Sequence, residues 1–139
     1  MREVEQEGVS YSDDDYFSLF AGLRNPECDM EEYLEKDYDL AVNGFICFEL
    51  GLDFGINTYD EDFLVLDCLD EASKNVAKVL AGEVSSDVVE AVEKMFPNGF
   101  PEAYDAMILI GHLKYEGETK DVVNPEFGTF KFIGYFEED

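Results

Sequence analysis

The apolar and polar residues of the chain alternate between strand-like and helix-like patterns. Residues 16–22 (Tyr-Phe-Ser-Leu-Phe-Ala-Gly) are rich in aromatic side chains and end at a glycine, which predicts a first strand. A loop over residues 23–28 follows, and Asp29 can cap a short helix after it. We expect this helix to expose Glu31, Glu32 and Glu35 and to bury Met30, Tyr33 and Leu34.

The next apolar segment, residues 45–50, follows a break at Asn43 and Gly44 and fits two kinds of element. Its apolar side chains could form one face of a short helix, or the whole segment could be a buried strand. Periodicity does not separate these two structures over so short a run. Of the two alternatives, we favour the helix.

The middle of the chain returns to a clearer alternation. Residues 62–67 predict a second strand, and Val76, Val79 and Leu80 then recur at helical spacing. A further helix is expected to begin at Ser85 or Ser86 and to end before Pro97. Its apolar stripe consists of Val88, Val89, Val92 and Phe96.

The C-terminal part favours strands. Residues 106–110 form a continuous apolar run that suits a central strand, and residues 127–136 predict a last strand with both faces covered. Residues 116–124 between them are predicted as a charged turn. This order predicts a single α+β domain over residues 1–139, with a mixed or antiparallel sheet of about four strands packed with helices.

The composition supports a folded domain. Apolar residues make up 46% of the chain, with 12 Phe and 8 Tyr, which argues against disorder. Residues 1–12 are polar and are expected to form a frayed terminus. The chain has neither a signal-peptide core at its start nor an apolar run of about 20 residues, so we expect a cytoplasmic protein that does not enter a membrane.

The net charge of −25 changes the functional picture most. Residues 1–73 hold 21 of the 34 acidic residues and three of the nine basic ones, and no base occurs between Lys36 and Lys74. Such a charge repels phosphate, which argues against direct binding to nucleic acid or to an anionic membrane. It favours a partner with a basic surface.

Residues with catalytic or redox chemistry do not form a recognisable motif. Cys28, Cys47 and Cys68 contain no CxxC pair, so we expect free thiols in a reducing compartment. His112 is the single histidine and lacks a nucleophile signature, which favours a structural or exposed role. We therefore expect no enzymatic activity and no cofactor.

Two short segments resemble known motifs without completing them. Residues 39–50 begin like a calcium-binding EF-hand loop, but the third position is Ala41 and the twelfth is Leu50, neither of which supplies a carboxylate. Residues 53–55 spell the Asp-Phe-Gly of kinases, while every other kinase segment is missing. We predict no metal site in either segment.

The densest cluster of acidic and aromatic residues is Tyr59–Phe63. In strand geometry Asp60 and Asp62 share one face, where they could bind Lys or Arg of a partner while Tyr59 adds rigid contact area. A solvated turn and a divalent-metal site are the other two interpretations. We predict a partner surface formed by five residues: Glu49, Asp53, Tyr59, Asp60 and Asp62.

The segment Asp53–Phe63 resembles the central motif of the immunity protein 22 family of bacterial polymorphic-toxin systems. Residues 16–22 look like the family's first strand, residues 31–34 like the acidic helix after it, and residues 130–136 like its last strand. One departure is that a tryptophan is expected in that first strand, where this chain has Phe20.

The resemblance implies a cytoplasmic protein that binds and neutralises a cognate toxin. We expect stoichiometric inhibition of a toxin with a basic surface, such as a nuclease domain. An alternative for the same charge is a nucleic-acid mimic that inhibits a DNA-binding or restriction protein. Halophilic adaptation is a third interpretation, which the abundant Phe and Tyr do not favour.

Overall fold

The computed structural model describes residues 12–26, 28–35, 37–42, 45–56, 63–80 and 86–137 of the 139-residue chain. Seven strands lie within these ranges: β1 (Ser12–Arg24), β2 (Asp37–Val42), β3 (Phe45–Cys47), β4 (Leu64–Ser73), β5 (Tyr104–Leu113), β6 (Asp121–Asn124) and β7 (Gly128–Glu137). The helices of the same ranges are α1 (Met30–Leu34), α2 (Glu49–Phe54), α3 (Val76–Val79) and α4 (Ser86–Met95).

Five of the strands form one antiparallel sheet in the order β4-β5-β1-β7-β6, while β2 and β3 pair as a separate hairpin. The strand β1 is central and pairs with β5 on one side and β7 on the other. The apolar β5 lies between β4 and β1, which confirms the prediction of an interior strand. The predicted α+β class is also confirmed, with one more strand in the main sheet than expected.

Helices cover both faces of this sheet. On one face, α1 and α2 pack over a buried cluster that includes Phe20, Ile108 and Phe130. On the other face, α3 and α4 pack over a second cluster that includes Leu19 and Met107. Leu19 and Phe20 are adjacent in β1 and point to opposite faces, because side chains alternate along a strand. This arrangement explains why the interior strands are apolar on both sides.

Several predicted elements are confirmed in detail. The carboxylate of Asp29 accepts a hydrogen bond of 2.9 Å from the backbone N–H of Glu31 and caps α1. As expected, α1 buries Met30, Tyr33 and Leu34 and exposes its acidic residues. Helix α4 begins at Ser86 and ends before Pro97. The first strand is longer than predicted and extends to Arg24, so the loop after it is shorter.

The preference for a helix over residues 45–50 was wrong. Phe45–Cys47 is a strand that pairs with β2, and the sequence did not predict β2. Helix α2 begins only at Glu49. Phe48 between them is extended, with φ −142° and ψ 150°. The pairing of Phe45–Cys47 with the preceding strand β2 stabilises the extended structure, and the periodicity of six residues gives no information about such pairing.

The interpretation of residues 116–124 as a charged turn was wrong in its second half. Asp121–Asn124 forms β6, which pairs with β7 at the edge of the main sheet. Its two valines are flanked by polar residues, so the local pattern is too short to predict a strand. The pairing with β7 supplies the stabilisation that the local sequence does not.

Candidate functional site

Asp53, one of the predicted partner-binding residues, lies in the last turn of α2. Its Oδ2 atom accepts a hydrogen bond of 2.7 Å from the hydroxyl of Tyr33 in α1. The same oxygen accepts a second hydrogen bond, of 2.9 Å, from Nδ2 of Asn124 at the end of β6. This carboxylate therefore joins α2 to α1 and to the edge of the sheet.

Asn124 continues this network into the turn between β6 and β7. Its Oδ1 accepts hydrogen bonds from the backbone N–H groups of Glu126 and Phe127, at 2.9 and 3.1 Å. Asn124 is buried and uses both ends of its amide, as a buried polar group must to avoid a desolvation penalty. The Asp53 carboxylate thus helps to fix the turn as well as the helices.

The two residues after Asp53 also have structural roles. Phe54 is 3% exposed, and its ring centroid lies 5.0 Å from that of Phe20. Gly55 ends α2 in the left-handed conformation, with φ 78°, and its N–H donates to the carbonyl of Gly51 at 2.7 Å. The Asp-Phe-Gly tripeptide is therefore explained by helix termination and packing, and the chance match to kinases has no bearing on function.

Glu49 is the second predicted partner-binding residue that the structure describes. It lies in the first turn of α2 and is partly exposed, one turn before Asp53. Tyr59, Asp60 and Asp62, the other three, lie outside the described residues. Glu49 and Asp53 therefore lie in the same helix. The positions of the other three residues stay a prediction.

An acidic surface that the sequence analysis assigned only to solvent lies next to α2. Helix α1 packs against α2, and the helix and its two capping residues expose four carboxylates: Asp29, Glu31, Glu32 and Glu35. A pocket of about 530 Å³ opens beside this helix, with Asp29, Glu32 and Glu126 among its lining residues. The burial of Met30, Tyr33 and Leu34 orients these acids outward, so helical spacing alone could have indicated this surface.

Several basic side chains of the described residues are held by contacts within the protein. Nε of Arg24 lies 3.3 Å from Oδ2 of Asp105, and its Nη2 donates to the carbonyl of Leu69 at 2.9 Å. Lys114 lies over the rings of Tyr16 and Tyr135, at 4.4 and 5.1 Å from their centroids. Arg24 and Lys114 are thus engaged in contacts within the protein, while the net charge of −25 follows from 34 acidic residues against nine basic ones.

His112, Cys28 and Cys68 are the histidine and the cysteines whose side chains the structure describes. The His112 ring packs on Phe63 with a centroid distance of 3.8 Å, and its backbone is strained at φ 54°. Burial raises the pKa of the thiols of Cys28 and Cys68 above the usual 9.0. These thiols are therefore protonated and weakly nucleophilic at neutral pH. Cys47 lies in β3, where the structure describes the backbone alone.

The described residues also contain no group of three or more His, Cys, Asp or Glu side chains arranged to hold a metal ion. Residues 39–42 belong to β2 and residues 45–47 to β3. A hairpin thus occupies the segment that begins like a calcium-binding loop, where an EF-hand would require two flanking helices.

Phe20 occupies the position at which the family resemblance implies a tryptophan. Its side chain is fully buried, and its ring lies 5.3 Å from that of Phe132 and 6.0 Å from that of Tyr115. A residue enclosed in this way packs the core and does not reach a partner. The departure from tryptophan therefore concerns packing.

The described residues define an α+β domain with many exposed carboxylates. The chain belongs to the Immunity protein 22 family, whose model matches residues 17–138. This membership confirms the resemblance in the sequence and implies that the chain neutralises a cognate toxin by binding it. No curated protein and no solved structure matches the chain.

None of the helices within the described ranges is long and apolar enough to cross a membrane.

Proposed function

We propose that this chain is a cytoplasmic, non-enzymatic inhibitor that forms a stoichiometric complex with one cognate toxin bearing a basic surface. Family membership supports the immunity role, and the net charge of −25 supports the basic partner. A nuclease domain fits this description, because a surface that binds nucleic acid is basic. The charge is the observation that carries the proposal beyond the family.

The charge acts in two ways on such a complex. The negative field accelerates encounter with a basic toxin and orients it, and this effect weakens as salt screens the charges. Once the surfaces touch, side chains that are desolvated in the centre of the contact slow dissociation. The toxin is then neutralised because the inhibitor covers either its nucleic-acid groove or its catalytic centre.

We propose that the toxin contacts α2 and the segment after it, through Glu49, Asp53, Tyr59, Asp60 and Asp62. Asp53 contributes mainly by holding α2 against α1, since its carboxylate accepts hydrogen bonds from Tyr33 and Asn124. We extend this surface to the exposed acids of α1, because α1 packs directly against α2.

Growth rescue tests the immunity role. The chain is co-expressed with the C-terminal domain of a secreted protein encoded beside its gene, and we expect it to restore growth. The control is an unrelated toxin domain, against which the chain should fail. The proposal is lost if the chain rescues neither culture. Equal binding to several unrelated DNA-binding proteins would instead favour the nucleic-acid mimic.

A matched pair of charge variants tests the location of the surface. Glu32→Gln/Glu35→Gln removes two charges from α1 and its C-cap, and Glu90→Gln/Glu93→Gln removes two at the same spacing from α4 on the opposite face of the sheet. At low salt we expect the α1 variant to lower the association rate constant with the rescued toxin by about fivefold. The α4 variant should change this rate constant by less than about twofold. Equal effects of the two variants would contradict the proposed location.

A further inference from the structure

Phe63 and His112 form a pair of aromatic side chains at the surface, where the start of β4 adjoins the end of β5. Their ring centroids lie 3.8 Å apart, with an interplanar angle of 35°. Phe63 is nevertheless 43% exposed, and His112 is partly exposed. Phe63 directly precedes β4, and His112 is the last residue but one of β5. The pair therefore presents an aromatic ring to solvent from the end of two paired strands.

Two features of β5 hold Phe63 in this position. A Cβ atom at Gly111 would lie 2.7 Å from Cβ of Phe63, so the glycine permits Phe63 to approach the backbone of β5 closely. The backbone of His112 has a φ of 54°, a left-handed conformation that is strained for a residue other than glycine. The register between β1 and β5 also shifts beside His112. Backbone strain of this kind costs free energy and is concentrated at functional sites.

Phe63 adjoins in sequence the acidic residues proposed for toxin binding. Asp62 is its neighbour in the chain, Asp60 is three residues before it and Tyr59 is four residues before it. A chain spans at most about 3.6 Å per residue, so four residues reach no further than about 15 Å. An interface of standard size covers about 800 Å² on each partner, which is a patch about 30 Å across. A toxin that contacts Asp60 and Asp62 therefore has Phe63 within reach of the same interface.

The charges near this pair favour a basic side chain as its partner. The three residues before Phe63 are acidic, and no basic residue occurs over residues 37–73. Lys114, which follows β5, lies over the rings of Tyr16 and Tyr135, on the β1 side of β5 and away from β4. An aromatic ring attracts Lys or Arg to its face, and neighbouring carboxylates strengthen the attraction.

We propose that Phe63, packed on His112, is an anchor of the toxin interface and that a Lys or Arg side chain of the toxin stacks on its ring. This inference rests on the proposed function and adds a contact to the surface proposed there. The same cation pairs with Asp60 or Asp62, so that the ring and a carboxylate bind one group. Because Gly111 and His112 already fix Phe63, its ring loses little conformational freedom when the toxin binds.

Substitutions at Phe63 distinguish a cation on the ring from simple burial of apolar area. Phe63→Tyr keeps an aromatic face, whereas Phe63→Leu keeps an apolar side chain without one. With the toxin domain identified by growth rescue, we expect the leucine variant to raise the dissociation constant about tenfold and the tyrosine variant no more than about threefold. A leucine variant that binds as tightly as the unmodified chain overturns the proposal. So does a tyrosine variant that binds as weakly as the leucine variant.

Leu23→Ala is the matched control for the loss of exposed apolar area. Leu23 is 44% exposed, and it lies six residues along β1 from Phe17, the partner of Gly111, which is a distance of about 20 Å. We expect this variant to change the dissociation constant by less than about twofold. A loss of affinity equal to that of Phe63→Leu would contradict a specific role of Phe63.

His112→Asn tests the part that the second ring plays. Asparagine tolerates a left-handed backbone, so this variant keeps the backbone conformation and removes the ring on which Phe63 packs. We expect the midpoint of urea denaturation to change little, while the dissociation constant for the toxin rises about threefold to fivefold. A variant that loses stability and keeps its affinity would contradict the proposed role of His112.

The single histidine of the chain allows a test without any substitution, because its ring gives one assignable set of NMR signals. In an isotopically labelled chain, the ring signals of His112 and Phe63 should shift when one equivalent of unlabelled toxin domain is added. If the toxin binds and both sets of signals keep their positions, the proposed contact is wrong while the proposed function stands. If the unmodified chain fails to bind the toxin at all, the proposed function is lost and this inference with it.

Discussion

The hydroxyl of Tyr33 and the carboxylate of Asp53 join α1 to α2 through a hydrogen bond of 2.7 Å. The Tyr33 ring is itself stacked on Phe130 of β7, with a centroid distance of 4.4 Å and an interplanar angle of 16°. Asp53, which the sequence suggested as a partner contact, thus also links α2 to α1 and, through Asn124, to β6. The acidic surface depends on this link, because α1 and α2 carry its carboxylates.

We predict that Asp53→Ala lowers the free energy of unfolding by about 2 kcal/mol, since it removes the carboxylate that accepts hydrogen bonds from the Tyr33 hydroxyl and the Asn124 amide. Tyr33→Phe should cost about 1 kcal/mol, because it removes one of these bonds and keeps the ring stacking. Urea denaturation followed by circular dichroism measures both values. The double variant should cost less than the sum of the single variants. Strict additivity would mean that the two groups do not interact.

Gly55 gives a prediction about the family motif itself. Its φ of 78° is strained for any other residue, although a Cβ atom there would meet nothing within 4 Å. Gly55→Ala should therefore cost about 1 kcal/mol of stability through backbone strain alone. Gly134→Ala is the matched control, because its Cβ would make only ordinary contacts of 3.6 Å or more and its φ is not positive. Equal stability of the two variants would show that α2 does not end as described.

The pKa of Tyr104 gives a prediction on the alkaline side. Burial and two nearby carboxylates raise this pKa from 10.0 to about 12 in the folded state. The neutral phenol thus favours folding fully below about pH 10, and this contribution is lost as the pH rises toward 12, because the unfolded chain ionises first. Unfolding free energies measured from pH 8 to pH 11 should fall more steeply for the unmodified chain than for Tyr104→Phe. If the two proteins showed the same pH dependence, the phenol of Tyr104 would be solvated and its pKa would not be raised.

The sequence predicted those elements whose stabilisation is local or strongly periodic. The Asp29 cap and the buried stripe of Val88 and Val92 in α4 follow from spacing over a few residues. The β2–β3 hairpin and β6 were not predicted, because these strands are short and each depends on pairing with its neighbour along the chain. The Asn-Gly pair at residues 43 and 44 was interpreted as a break, although such a pair is also a signal for a hairpin.

The candidate site shows the same difference between what local sequence indicates and what depends on distant contacts. The excess of acidic residues follows from the composition, and Glu49 stays a predicted partner contact. The internal role of Asp53 could not be predicted, because its partners Tyr33 and Asn124 lie 20 and 71 residues away in the chain.

The most direct measurement of the central claim is a titration of the toxin domain's activity with the purified chain. Binding at one site predicts that activity falls linearly and reaches zero at one equivalent, with a single 1:1 complex by light scattering. Because a charged interface is screened by salt, the dissociation constant should also rise with ionic strength. Full toxin activity in the presence of excess chain would contradict the account. Complete inactivation by a small fraction of an equivalent would contradict it as well, because only a catalyst acts in that way.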